Sequence, residues 1–312
     1  MWRLLALGVC LGLALLGCEV RREIVARERT AAGGASGGTA AGAEGGAGVG
    51  GELARDPPRF ANPTPVDDLN DPDAKDQDPS LTGDQLEIFF FSDRSGSEDI
   101  WTATREAPEA SWDPPVPVPE LNSDSIEQNP TISRDGLRIW FYSRREPLGI
   151  YFAERPSRGE PFGAPEPLPI ESPTSEGFPI APSLDVAELR MAISIGNADL
   201  RDLYEIVRPS LAGSWGPPAL LSGVNSDLAD STPFLIDDGR ELLFHSGRAG
   251  AGDLFWAYRE APGLPVVRVE PLDDLNDPAT FDSHPHLTVD RRHVYWGSDR
   301  SGNTDIYVAE AR

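Results

Sequence analysis

Five acidic residues recur three places before a proline: Asp76, Glu127, Glu176, Asp230 and Asp282 precede Pro79, Pro130, Pro179, Pro233 and Pro285. Carboxylates brought together repel one another unless a cation, an arginine or backbone donors compensate. Two chemistries follow. If the five meet, they offer the oxygen ligands that a hard cation such as Ca2+ takes. If each stays in its own unit, each caps a loop there. Carboxylates are also the only residues here with a hydrolytic use, since glycoside hydrolysis needs two of them on opposite sides of a sugar. His284 and His286 flank Pro285, and on a regular strand side chains at i and i+2 share one face, so both can reach a metal. His245, just before Ser246, reads as a core or channel-lining group. Gly34 to Gly38 match G-x-S-x-G around Ser36, but that motif needs a strand before it and a helix after it, and the flanking Gly/Ala run offers neither. No Ser-His-Asp spacing, P-loop or dinucleotide fingerprint follows.

The elements that carry these residues repeat. Ser92, Ser143, Ser194, Ser246 and Ser298 follow one another at intervals of 51, 51, 52 and 52, each at the end of an apolar run. Gly, Asp and Pro turns divide each unit into four short strand-like runs, with no sustained helical period. Four strands per unit of about 50 residues is the mark of propeller blades. One blade cannot cover its own two faces, and a ring of blades covers all of them while leaving few open edges. The count is five. The last copy stops at Arg312 after its third strand, and residues 60–69, FANPTPVDDL, fall in step with the missing fourth. The expected fold is therefore an all-β, five-bladed β-propeller over residues 60–312, with an N-terminal strand closing the last blade.

The strings FFFSDRSGSEDIW (89–101) and VYWGSDRSGNTDIY (294–307) carry the pattern S-D-R-x-G-x-x-D-[IL]-[YWF]. This resembles the TolB-type, or PD40 (WD40-like), propeller repeat over residues 60–312. Asp99, Asp253 and Asp305 hold the aspartate of the pattern, Gly149 replaces it in the second copy, and the third copy lacks the arginine. The resemblance implies a propeller that binds or scaffolds other molecules. Propellers of this type also accompany serine peptidases, but no hydrolase domain is present here.

Upstream, residues 1–17 read as an export signal: Arg3, then an apolar stretch from Leu4 to Leu16 that is too short for a stable bilayer span. Leu15-Leu16-Gly17-Cys18 resembles the bacterial lipobox, which implies a diacylglycerol on Cys18 and cleavage after Gly17. Several acyl chains anchor firmly, and Glu19 rather than Asp favours the outer membrane. Cleavage leaves Cys18 as the sole cysteine, so the folded part holds no disulfide and no thiol chemistry. Residues 18–59 read as anchor and flexible Gly/Ala-rich tether. Residues 60–312 carry 20 basic and 45 acidic side chains, a net of −25, which argues against nucleic-acid binding. The expectation is a monomeric binding or scaffold module of the bacterial envelope, membrane-attached through lipid, for an envelope protein or polymer and without an obligatory cofactor. The alternative is a carbohydrate-active enzyme using carboxylates at the channel mouth.

Overall fold

Alternation inside each apolar run shapes the molecule. In Ile88-Phe89-Phe90-Phe91, odd and even residues point to opposite faces of a strand, and both faces are buried. The computed structural model describes residues 55–174, 177–197, 200–250 and 252–312. Cys18 lies outside these residues, as do the proposed signal and most of the tether.

Among the described residues, twenty strands form five antiparallel four-stranded sheets. The first blade comprises β2 (Asp76–Leu81), β3 (Glu87–Ser92), β4 (Asp99–Thr104) and β5 (Val116–Pro117). The second comprises β6 (Glu127–Ile132), β7 (Arg138–Ser143), β8 (Gly149–Glu154) and β9 (Glu166–Pro167). The third comprises β10 (Phe178–Leu184), β11 (Arg190–Gly196), β12 (Arg201–Val207) and β13 (Ala219–Leu220). The fourth comprises β14 (Asp230–Ile236), β15 (Glu241–Ser246), β16 (Asp253–Tyr258) and β17 (Arg268–Pro271). The fifth comprises β18 (Asp282–Leu287), β19 (His293–Ser298), β20 (Asp305–Ala311) and, from the other end of the domain, β1 (Phe60–Pro65). The first strand of each blade touches the first strands of both neighbours, so these five strands line the axis.

The core lies between blades. Phe89 and Phe91 pack against Ile139 and Phe141 of the second blade, whereas Ile88 and Phe90 pack against Tyr295 of the fifth. Trp140 and Ile193 fill the second seam, Ala192 and Leu242 the third, and Trp256 and Trp296 the fourth. Polar side chains join the axial strands. The Ser80 Oγ accepts from Ile132 N at 3.1 Å, Ser183 Oγ from Leu235 N at 2.8 Å, and His286 Nε2 from Leu81 N at 3.3 Å.

The expected closure is present. β1 pairs antiparallel with β20, Phe60 facing Ala311 and Pro65 facing Tyr307. The Asn70 side chain adds a second clasp, accepting from Ile306 N at 2.8 Å and donating to Ile306 O at 3.0 Å. Asn122, Asn225 and Asn276 hold the third strands of three other blades in the same way. This asparagine repeat escaped the sequence reading, because asparagine in a loop resembles any turn residue.

Phe60 is fully buried in the last seam. Phe60→Ala should therefore cost about 3–5 kcal/mol of unfolding free energy. Val267→Ala, at a side chain 60% exposed, should change it by less than about 0.5 kcal/mol. Urea unfolding followed by tryptophan fluorescence compares the two; equal effects would contradict the closure.

Candidate functional site

Each described member of the acidic set is buried and tied to its own blade. Asp76 accepts from Asp71 N at 2.6 Å and from the Arg94 guanidinium, whose Nε donates to Ser92 Oγ at 2.8 Å. Glu127 accepts from Ser143 Oγ at 2.7 Å and pairs with Arg145 at 3.0 Å. Asp230 accepts from Arg248 at 2.7 Å. Asp282 accepts from Arg300 at 2.6 Å and from Trp296 Nε1 at 2.9 Å. Acid, serine and arginine thus form one unit in four blades. Burial pushes the Asp76 carboxyl above its ordinary range even though Arg94, Ser92 and the Asp71 amide oppose it.

The third blade departs from this. Glu176 lies outside the described residues, and strand register places Pro179, not Glu176, where Asp76 stands. Pro179 faces Ile195 as Asp76 faces Ser92, and Asn197 follows where the other blades have arginine. The proline in step with Pro79 is Pro182, because each in-step proline follows an axial residue with positive φ, and Ala181 is that residue here. Ser194, counted with the repeat serines by spacing, is one place out of step, and Ile195 stands in the serine's position, so acid, serine and arginine are all missing from these positions, as expected if each needs the others. A Ca2+ ion would have to displace the guanidinium donors of the four described carboxylates. Among the described residues, no three His, Cys, Asp or Glu side chains converge as a metal site would require.

The axis narrows where the first strands bulge. Asp78, Asn129, Ala181, Thr232 and His284 have φ of 63°, 53°, 49°, 48° and 54°. Positive φ is uncommon outside glycine, and its recurrence before a proline in every blade marks a built feature. Each sits at the register shift of its strand. The Asp78 carboxylate accepts from Asn129 N at 2.8 Å and Asn129 Nδ2 at 2.7 Å, and lies 2.9 Å from His284 Nε2. His284 Nδ1 lies 2.9 Å from Ser283 Oγ and 3.1 Å from Gln77 Nε2. The free volume at this waist is about 40 Å³.

The bulge also parts the two histidines that a regular strand would put on one face. His284 joins the waist network, while His286 reaches the neighbouring blades, accepting from Leu81 N and lying 4.6 Å from the Phe234 ring. His245 is buried on the second strand of its blade, Nδ1 lying 3.0 Å from Ser231 Oγ and the ring 4.7 Å from Phe281.

Below the waist, where the first strands end, a cavity of about 250 Å³ opens. Its walls combine Leu81, Phe234 and Leu287 with the hydroxyls of Ser80, Thr131 and Ser183. Asp237 spans its rim, accepting from Arg134 at 2.8 Å and from Arg291 at 3.0 Å. Those two guanidinium groups outweigh partial burial and hold the Asp237 carboxyl below its ordinary range. The sequence reading missed this second mouth, whose lining comes from strand ends with no common motif.

No protein-family model matches the chain, and no curated protein matches it in sequence. Solved structures do match. The catalytic domain of a family 62 α-L-arabinofuranosidase from Coprinopsis cinerea has a TM-score of 0.59 at 11% identity, covering 81% of this chain and 97% of that one. An α-L-arabinofuranosidase from Podospora anserina, solved with cellotriose, has a TM-score of 0.58 at 13% identity, covering 82% and 97%. TolB from Acinetobacter baumannii has a TM-score of 0.47 at 11% identity, covering 76% of this chain and 54% of that one. The first two likenesses, at identities this low, establish the fold: a five-bladed β-propeller.

The buried histidines make stability depend on pH. Burial lowers His286 from 6.5 to about 3 and, with the nearby His284 and Arg201, lowers His245 to about 4. The unfolded chain therefore binds more protons than the folded one from about pH 6.5 downward, so stability falls on acidification through that window. Each histidine should cost about 2 kcal/mol between about pH 7 and pH 5. His286→Gln keeps an acceptor for Leu81 N and should remove one share of the loss in urea titrations. An unchanged pH slope in the double variant with His245→Gln would refute the assignment.

Proposed function

We propose that this chain is a non-enzymatic binding module of the bacterial envelope, attached by lipid on Cys18 and acting through the mouths of its channel. The observation that carries the reading is the use of the repeat carboxylates within their own blades. Asp76, Glu127, Asp230 and Asp282 are fully buried and each is neutralised by an arginine of the same blade. Groups so engaged hold loops and are not free to protonate a leaving group or activate water. The cavity of about 250 Å³ beneath Asp237 joins apolar walls to the hydroxyls of Ser80, Thr131 and Ser183, the composition of a ligand pocket. The acidic domain, at −25, favours basic partners.

A second reading draws on Glu98 and Asp78. Burial, with the negative charges of Asp93 and Asp78, raises the Glu98 carboxyl against the pull of Lys75 and Arg144. A carboxyl with raised proton affinity near a second carboxyl is the arrangement by which carboxylate pairs cleave glycosides. In this reading the chain releases sugars at the mouth where the first strands begin.

Two measurements separate the readings. Full-length protein should capture a partner from solubilised membranes, and the capture should weaken as salt rises from about 0.05 to about 0.5 M; capture indifferent to salt counts against the charge argument. In the other assay, polysaccharides are incubated with the chain and with Glu98→Gln. New reducing ends that vanish in the variant would replace the binding reading with the enzymatic one.

A further inference from the structure

Arg201 stands apart from the other arginines. Among the described residues, every other arginine that is not exposed donates to or pairs with a carboxylate or donates to a carbonyl oxygen. The Arg201 guanidinium makes no such bond, and its buried Nε has no partner. Carboxylates are not scarce, since the domain carries 25 surplus negative charges. A half-buried cation left without a counter-charge is costly, and burial lowers its proton affinity with only Tyr142 acting the other way.

The third blade's departure from the repeat creates the place. Arg201 opens β12 opposite Gly196, which in turn faces Phe178 at the start of β10. Gly196 has φ of 147°, and a Cβ there would lie 2.1 Å from Leu200 O, so the middle of this row has to be bare. The row runs toward the channel mouth, where Phe178 stacks on Tyr142 of the second blade at 5.4 Å with planes 7° apart. The Tyr142 hydroxyl lies beside Arg144 and Arg201, and burial keeps it protonated by pushing its pKa up. The Arg201 guanidinium, the exposed Arg144 guanidinium and the Tyr142 hydroxyl thus lie near one another, and both the Tyr142 hydroxyl and Arg201 Nε are buried without a hydrogen-bond partner.

We propose that Arg201, Tyr142 and Arg144 form an oxyanion-binding site at the mouth where the first strands begin, for a carboxylate or phosphate group of a ligand. The guanidinium fork presents two parallel N–H donors to such a group, which gives geometry as well as charge. The site is independent of whether the chain is a binder or an enzyme, and it selects by the ligand's charged group where the surrounding acidic surface repels bulk polyanions.

The test is calorimetric titration of the full-length chain with D-glucuronate, inorganic phosphate and D-glucose. Saturable binding of glucuronate or phosphate is expected, and none of glucose. The preferred anion identifies the source of the charge. Arg201→Gln should weaken binding about tenfold or more, and Arg201→Lys by less, since charge remains without the fork. Tyr142→Phe should weaken it about threefold. Arg134→Gln, at the opposite mouth, should leave it unchanged. A rise in melting temperature of the unaltered chain with anion, absent with glucose, supplies a readout that does not require the variants to fold. Anion binding that survives Arg201→Gln, equal binding of glucose, or no saturable binding of either anion would overturn the proposal.

Discussion

The pairing of Phe60–Pro65 with Asp305–Ala311 is the contact on which the rest depends. Every blade has two apolar faces, and each is covered only while its neighbours hold their angle. Were the ring open, the seam joining Phe90 to Tyr295 would face water, and the edge of β20 would offer unpaired backbone groups. Because β1 precedes the first blade in the chain but lies in the last blade in space, the ring opens only by breaking that ladder. Asn70 on Ile306 and His286 on Leu81 N secure the same junction from the rim and from the axis.

Within the closed ring, charge is distributed by blade. A net of −25 in the domain does not produce a channel of mutually repelling carboxylates. Four of the repeat acids are met by an arginine two residues beyond the repeat serine, and the same guanidinium also reaches a loop carbonyl such as Leu69 O or Val224 O. The third blade has none of the three residues at these positions, and its mouth presents Phe178, Gly196 and Arg201 instead. A ring of near-identical units gains an address where one unit breaks the rule, and among the described residues this is where a partly buried arginine, Arg201, has neither a carboxylate nor a carbonyl acceptor.

Much of this was legible beforehand. The apolar runs ending at the repeat serines marked the strands, the interval between serines set the blade count, and the match of FANPTPVDDL to the fourth strand located the closure. The acidic set was legible as a pattern but not as an arrangement. Pro179 and Pro182 lie three apart on one strand, and only the positive φ of Ala181 and the pairing with β11 show which is in step. Likewise His284 and His286 looked like partners under a two-residue period, which a bulge at His284 cancels.

The sequence by itself determined strand content, the number of blades and the segment that closes them, because these follow from local alternation, turn chemistry and repetition along the chain. Only the tertiary structure decided which carboxylates meet which arginines, that Asp78, Asn129 and His284 meet at the axis, and that Arg201 is left without an acceptor. Those outcomes depend on register and on side chains converging from different blades, as Asp78 and His284 do across 206 positions of sequence. No local pattern encodes that distance; the closed ring does.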